Sequence, residues 1–169
     1  GILVDGIDFT GIAGAATIMD IAQVEILRGP QGTLYGANAL AGLINLRSNQ
    51  PTETTDGNLE VSLGDYNTQT VSVAMGGPIN QQLGYRVALQ QHRSDGYIRN
   101  DYLQRDDTDN LDELSLRSIV DWQAGANLDL KLTVFHVNAD NGYDAFSLDN
   151  TRNTLSDTPG HDRHEASAL

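Results

Sequence analysis

Between residues 58 and 134 apolar and polar side chains alternate with a period of two, segment after segment. Leu59, Val61 and Leu63 alternate with Asn58, Glu60 and Ser62; Val71, Val73 and Met75 alternate with Ser72 and Ala74; Tyr85, Val87 and Leu89 alternate with Arg86, Ala88 and Gln90. Leu114, Leu116, Val120 and Trp122 then alternate with Glu113, Ser115, Arg117 and Asp121, and Leu128, Leu130, Leu132 and Val134 with Asp129, Lys131 and Thr133. Successive side chains of a strand point to opposite faces, so five such segments predict antiparallel strands with one apolar and one polar face. A sixth is expected from about His164. The first 50 residues have another pattern. Short apolar segments (Ile2 to Val4, Phe9 to Ala16, Val24 to Leu27, Leu43 to Leu46) alternate with Gly-rich loops. They predict a small mixed sheet, with weak helical turns at Thr17 to Ala22 and around Ala37 to Ala41. The border is the polar, turn-forming stretch Asn49 to Gly57, which contains Pro51.

The connectors between the alternating segments are in turn short and long. Gly76 to Gly84 and Gln123 to Asn127 are compact, whereas Asp95 to Asp112 and Asn138 to His164 are long and polar. Charge follows the long connectors: seven acids against two bases over 95–115 and six against two over 140–165, together 13 of the 23 acids. The formal net charge of −13 over 169 residues therefore describes two acidic loops joined by near-neutral strands. Short turns at one end and long loops at the other are the arrangement of a membrane β-barrel.

Composition narrows the functional classes. An acidic chain lacks the basic face that nucleic acid requires. No apolar run approaches the roughly 20 residues of a spanning helix, although barrel strands, apolar only at alternate positions, would not show one. With no Cys, thiolate metal sites, Cys nucleophiles and disulfides are excluded. No Gly-x-Ser-x-Gly elbow, phosphate-binding Lys-Ser/Thr after a glycine loop, or GxGxxG is present, so the chain is not read as an enzyme and no cofactor is expected. Asp106, Asp107, Asp109 and Asp112 lack the Gly and Glu spacing of a calcium loop. His161 to Glu165 lacks an HExxH pattern, and no metal site is assigned. The start, Gly1-Ile2-Leu3-Val4-Asp5, has no basic leader and no initiator Met, as expected of a piece of something longer.

The most informative stretch is Gln23 to Leu46, reading Val24-Glu25-Ile26-Leu27-Arg28-Gly29-Pro30, Gly32-Thr33-Leu34-Tyr35-Gly36, Asn38-Ala39-Leu40-Ala41-Gly42 and Ile44-Asn45. It closely resembles the end of the plug domain of TonB-dependent outer-membrane receptors. Val4-Asp5-Gly6 is similar to that family's short strand-turn. Gly64-Asp65-Tyr66-Asn67, Gly76-Gly77-Pro78-Ile79, Arg86, Asp95 to Asn100 and Arg117 are similar to its early barrel strands and turns. The resemblance implies a mostly β chain: the C-terminal part of a small mixed α/β plug over 1–50, a linker over 51–57, and over 58–169 the first antiparallel strands of a truncated transmembrane barrel. Such a sheet cannot close alone, and transport by these residues alone is not expected. The implied function is TonB-energised import across the outer membrane of a scarce nutrient, foremost a ferric siderophore or similar iron complex. Cobalamin or oligosaccharide reception, or a non-transporting surface binding module or adhesin, are the alternatives. Implied partners are TonB, through a segment not among these residues, an extracellular small molecule, and outer-membrane lipid and lipopolysaccharide. A plug that enters the wall from the periplasm puts 65–67 outside, Gly77-Pro78 at the periplasmic rim, and both acidic stretches outside.

Residue roles follow from the same resemblance. Arg28 is expected to lock the plug to wall glutamates, with Glu25 either sharing that lock or pairing with Arg28 or Arg47. Asp8 to Gly14 takes the place of an apical plug loop, where Phe9 could stack on ligand and Thr10 hydrogen-bond it, or Phe9 could pack internally. Gly29, Pro30, Gly32, Tyr35, Gly36, Gly42 and Asn45 form the structural motif, with Tyr35 packing the turn. Trp122, Tyr85 and Tyr97 fit interfacial aromatics near strand ends.

Overall fold

In the computed structural model, residues 1–10, 19–144, 147 and 151–169 are described. The first sheet comprises β1 (Ile2–Val4), β2 (Ile7–Asp8), β3 (Ile21–Arg28) and β4 (Gly42–Ser48), with a short helix α1 (Gly32–Tyr35) and a 3-10 turn (Ala37–Ala39) between the last two. Its order is β2-β1-β4-β3, with β1 parallel to β4 and the other neighbours antiparallel. Asp5 and Gly6 both take positive φ, as a tight Asp-Gly hairpin requires, and join β1 to β2. Of the expected helical turn at 17–22, residues 17 and 18 lie outside the described residues, while Ile21 and Ala22 are already in β3. The expected turn at Ala37 to Ala41 is the 3-10 turn, and α1 precedes it.

The second sheet contains β5 (Asp56–Gly64), β6 (Thr68–Asn80), β7 (Leu83–Ser94), β9 (Leu111–Gly125), β10 (Leu128–Tyr143) and β12 (Gly160–Ala168). The two-residue strands β8 (Arg99–Asn100) and β11 (Asn153–Thr154) lie in the long connectors. The main sheet is an antiparallel meander, β5 through β12, and it is open, with β5 and β12 at its edges. Strands run further than the alternation indicates: residues 81–82 and 126–127 alone turn the chain at one end, and the sixth strand starts at Gly160, not His164. Gly76-Gly77-Pro78 stays within β6 because a register shift between Pro78 and Asn80 accommodates the proline.

The two faces of this sheet are reversed relative to a water-soluble protein. Leu59, Leu63, Val73, Met75, Leu130 and Leu132 are exposed, whereas Ala74, Arg86, Ala88, Ser115 and Arg117 are buried. The buried face carries the first sheet. Val4, Phe9 and Leu46 meet Phe135, Val137 and Ala139 of β10 in one cluster, and Met19 packs on Ala74 and Ala88 in another. A third cluster, Leu3, Ala39 and Leu43 with Tyr35 and Leu27, lies within the first sheet.

At the long-loop end, β8 and β11 pair in parallel, joining two connectors that are remote in sequence. Asn100 is fully buried there; its amide donates to Asp144 (2.8 Å) and to the Ser156 carbonyl (2.9 Å), and Thr154 donates to the same Asp144 oxygen (2.7 Å).

Candidate functional site: a carboxylate held by two wall arginines

The first sheet is fastened to the second at Asp20, immediately before β3. Its φ of +50° is the left-handed conformation that Asp tolerates better than most side chains. The carboxylate meets Arg86 of β7 in a two-pronged pair, Nε to Oδ2 at 2.6 Å and Nη2 to Oδ1 at 2.7 Å. Both side chains are almost completely buried, at 6% and 4% exposed. Arg86 also reaches Asp56, at the start of β5, through Nη1 (3.2 Å). Asn49 donates to Asp20 Oδ1 (2.8 Å), so the segment leaving β4 closes the site from the other side.

Arg117 of β9 completes the group. It lies opposite Ala88, two positions beyond Arg86 on the same face of the sheet. Its Nη2 donates to the carbonyls of Met19 (2.9 Å) and Asp20 (2.8 Å), and it stands 3.6 Å from Asp20 Oδ2. The guanidinium lies over the Phe135 ring, 5.6 Å from its centre, and Nη1 is buried without a hydrogen-bond partner among the described residues. The small inward residues Gly76, Ala74 and Ala88 leave room for two guanidinium groups side by side. Burial works against the charged form of Asp20, but the hydrogen bonds from Arg86 and Asn49 and the charges of Arg86 and Arg117 outweigh it and hold the carboxyl below its ordinary value.

The residues expected from the motif are placed as follows. Arg28 ends β3 exposed, and its side chain makes no hydrogen bond among the described residues. Glu25 is half-buried, accepts from Asn45 Nδ2 (2.8 Å) and lies 3.6 Å from Arg47. The structure thus brings Glu25, Asn45 and Arg47 together and leaves Arg28 apart from them. Gly29, Gly36 and Gly42 take positive φ, and a Cβ on Gly42 would sit 2.9 Å from the Leu27 carbonyl oxygen. Pro30 stands between Gly29 and α1, which Gly32 opens, and Tyr35 packs on the cluster around Leu3 and Leu43.

Of the apical-loop expectation, residues 11–14 lie outside the described residues. Phe9 is 3% exposed and meets Phe135 edge-on, with ring centres 5.2 Å apart. Thr10 accepts from the Ile2 amide (3.0 Å) and donates its own N–H to Asp8 (2.9 Å). Hydrogen bonds from the Thr10 hydroxyl, the Asn38 side chain and the Thr10 amide bring the Asp8 carboxyl down to about 2. Among the described residues no group of three His, Asp or Glu side chains could hold a metal ion.

Asp20 was not among the expected site residues. The signal available in the sequence was Arg86 and Arg117, both on the polar phase of their strands; two cations on a face that becomes enclosed need a carboxylate.

Residues 1–43 match the family model for the TonB-dependent Receptor Plug Domain. The chain is 35% identical over 105 residues to the pesticin receptor of Yersinia enterocolitica, and 29% identical over 102 residues to the vitamin B12 transporter BtuB of Vibrio cholerae. These alignments cover 62% and 57% of this chain, and 16% and 17% of those proteins, so the chain spans about a sixth of the length of the curated relatives it matches. In fold it is similar to the ferric yersiniabactin uptake receptor FyuA of Yersinia pestis, with a TM-score of 0.76, 24% identity and coverage of 98% of this chain and 27% of that one. It is also similar to the ferripyoverdine receptor of Pseudomonas aeruginosa, with a TM-score of 0.67, 18% identity and coverage of 92% and 22%. The motif at 23–46, the plug-family match over residues 1–43 and an open sheet that carries the first sheet on one face make this chain similar to the plug and adjoining barrel strands of TonB-dependent receptors.

Proposed function

We propose that this chain serves an outer-membrane receptor that imports a scarce extracellular nutrient with energy delivered through TonB, and that Asp20, Arg86 and Arg117 form the latch seating its plug. On this reading residues 1–50 are plug, 51–57 linker and 58–169 barrel wall. The exposed aliphatic face meets lipid, and the acidic connectors face outward, where lipopolysaccharide lies. The supporting observation is the buried Asp20–Arg86 pair. It joins the first sheet to the second on the face opposite the exposed Leu, Val and Met side chains. Glu25 and Arg28 remain proposed contacts to wall strands beyond this chain; of the pair expected to contact ligand at the apical loop, Thr10 remains the proposed contact, while Phe9, packed on Phe135, fits the internal alternative. A ferric siderophore or similar iron complex is the proposed cargo. The relatives named for ferric yersiniabactin and pyoverdine favour it, while those named for vitamin B12 keep cobalamin as the second candidate.

The test is growth-linked uptake by cells with and without the full gene, each with and without TonB. Radiolabelled ferric siderophores and cobalamin are supplied separately. Accumulation that requires both the gene and TonB is the expected result. Surface binding without TonB-dependent accumulation would instead make the protein a binding module.

A further inference from the structure

We propose that Arg86 and Arg117 form an anion-binding station on the barrel wall, occupied by Asp20 while the plug is seated and by a carboxylate of the cargo once the plug moves. The proposal rests on the import reading above and extends it by naming a chemical feature of the ligand.

Three observations carry it. First, the two guanidinium groups share one inner face of neighbouring strands, and both are sealed from solvent, at 6% and 2% exposed. Secondly, their charges are unequally matched. Arg86 is chelated by Asp20 and shares Asp56. Among the described residues the nearest carboxylate oxygen to Arg117, Asp20 Oδ2, stands 3.6 Å away; Nη2 donates to two main-chain carbonyls, and Nη1 has no partner there. Removing a guanidinium from water while leaving a donor unused is costly, so the position has hydrogen-bonding capacity that seating the plug does not use. Thirdly, the hydrogen-bond acceptors of Arg117 both belong to the plug, being the carbonyls of Met19 and Asp20, while its aromatic neighbour Phe135 belongs to the wall.

When the plug leaves, Arg117 loses both acceptors and the nearby Asp20 charge together, and Arg86 keeps only Asp56. Two guanidinium groups and the Asp56 carboxylate of the linker then face the lumen, a net positive pocket with parallel N–H donors beside an aromatic ring. Planar donor forks of this kind match a carboxylate in two-pronged geometry, and offer nothing to a cation. Asp20 in the seated plug is the intramolecular occupant of the same site.

The experiment uses the full receptor and arginine modification by phenylglyoxal mapped by mass spectrometry, with citrate as the probe anion and chloride at matched ionic strength as its control. The plug is kept seated in buffer, or unseated by urea at a concentration that preserves the strand signal of the barrel. Exposed Arg93 is the internal reference. In the seated receptor Arg93 reacts while Arg86 and Arg117 do not; after unseating all three react, and citrate slows Arg86 and Arg117 by about tenfold without slowing Arg93. In an Arg117→Gln receptor citrate no longer protects Arg86, and Arg117→Lys restores part of the protection. Equal reaction with and without citrate after unseating overturns the station and leaves the plug reading standing. Reaction of Arg117 as fast as Arg93 in the seated receptor overturns both.

Discussion

Asp20 concentrates the attachment of plug to wall in one carboxylate. Its replacement by Ala removes both prongs of the Arg86 pair and leaves a cation sealed with Asp56 as its remaining carboxylate, a change that typically costs about 3–5 kcal/mol for a buried pair. The expected outcome for Asp20→Ala in the full receptor is plug release at lower urea, followed by proteolysis of the 1–48 region, with the barrel transition unmoved. The pH dependence has a definite sign. The seated carboxyl titrates below the ordinary aspartate value, so the unseated plug binds more protons as pH falls. The latch therefore contributes its full stabilisation above about pH 4 and loses it as pH drops through the lower, seated-state pKa. Plug release followed from pH 8 to pH 2 should be flat until that acidic range, and flat throughout in Asp20→Asn. The motif pointed to Arg28, which ends β3 exposed and whose expected partners lie on strands beyond these residues; the buried pair in this chain instead joins Arg86 of β7 to Asp20 before β3. Local sequence could not show this polarity, because Asp20 and Arg86 are 66 positions apart and only the folded sheet brings them together.

Among the elements, the wall strands were legible and the loop structure was not. Alternation over five or more residues, repeated segment after segment, is a strand signal, so β5, β6, β7, β9 and β10 follow from it. β8 and β11 are two residues each and pair in parallel across more than 50 positions, which no local periodicity encodes. Their stability comes from Asn100, Asp144 and Thr154, all sealed from solvent. Asn100→Ala leaves the buried Asp144 carboxylate short of a donor and should cost about 1–3 kcal/mol locally. Hydrogen exchange at 99–101 and 153–154 is expected to accelerate, with β6 and β7 unchanged. The linker is held by shape as well: a Cβ on Gly77 would lie 2.8 Å from Thr55 Cα, and one on Gly84 would lie 3.0 Å from Pro51 Cβ. These glycines make room for residues 51–55 between the two sheets, and bulk at Gly77 would push Thr55 away.

For the molecule as a whole, the distribution of side chains between the two faces of the larger sheet is the main feature. A row of exposed Leu, Val and Met on the face opposite the first sheet is compatible with a lipid exterior, and exposed Trp122 stands beside the short-turn end, where interfacial aromatics are found in barrels. Leu132→Arg places a charge in that row at a cost of about 2–4 kcal/mol near the membrane midplane. The full receptor carrying it should assemble poorly in the outer membrane, while Thr133→Arg, one position along and facing inward, should assemble nearly normally; fractionation and heat-resistant mobility of the barrel distinguish the two. By itself the sequence determined the strand period, the alternation of short and long connectors, the acidic character of the long ones and the plug motif, because each is a local property of neighbouring residues. Only the tertiary structure decided which carboxylate meets Arg86 and Arg117, that Phe9 packs on Phe135, and that the two acidic connectors are tied through Asn100 and Asp144. Those contacts join residues far apart in the chain, and their energies depend on burial that no segment possesses before the plug sheet lies against the wall.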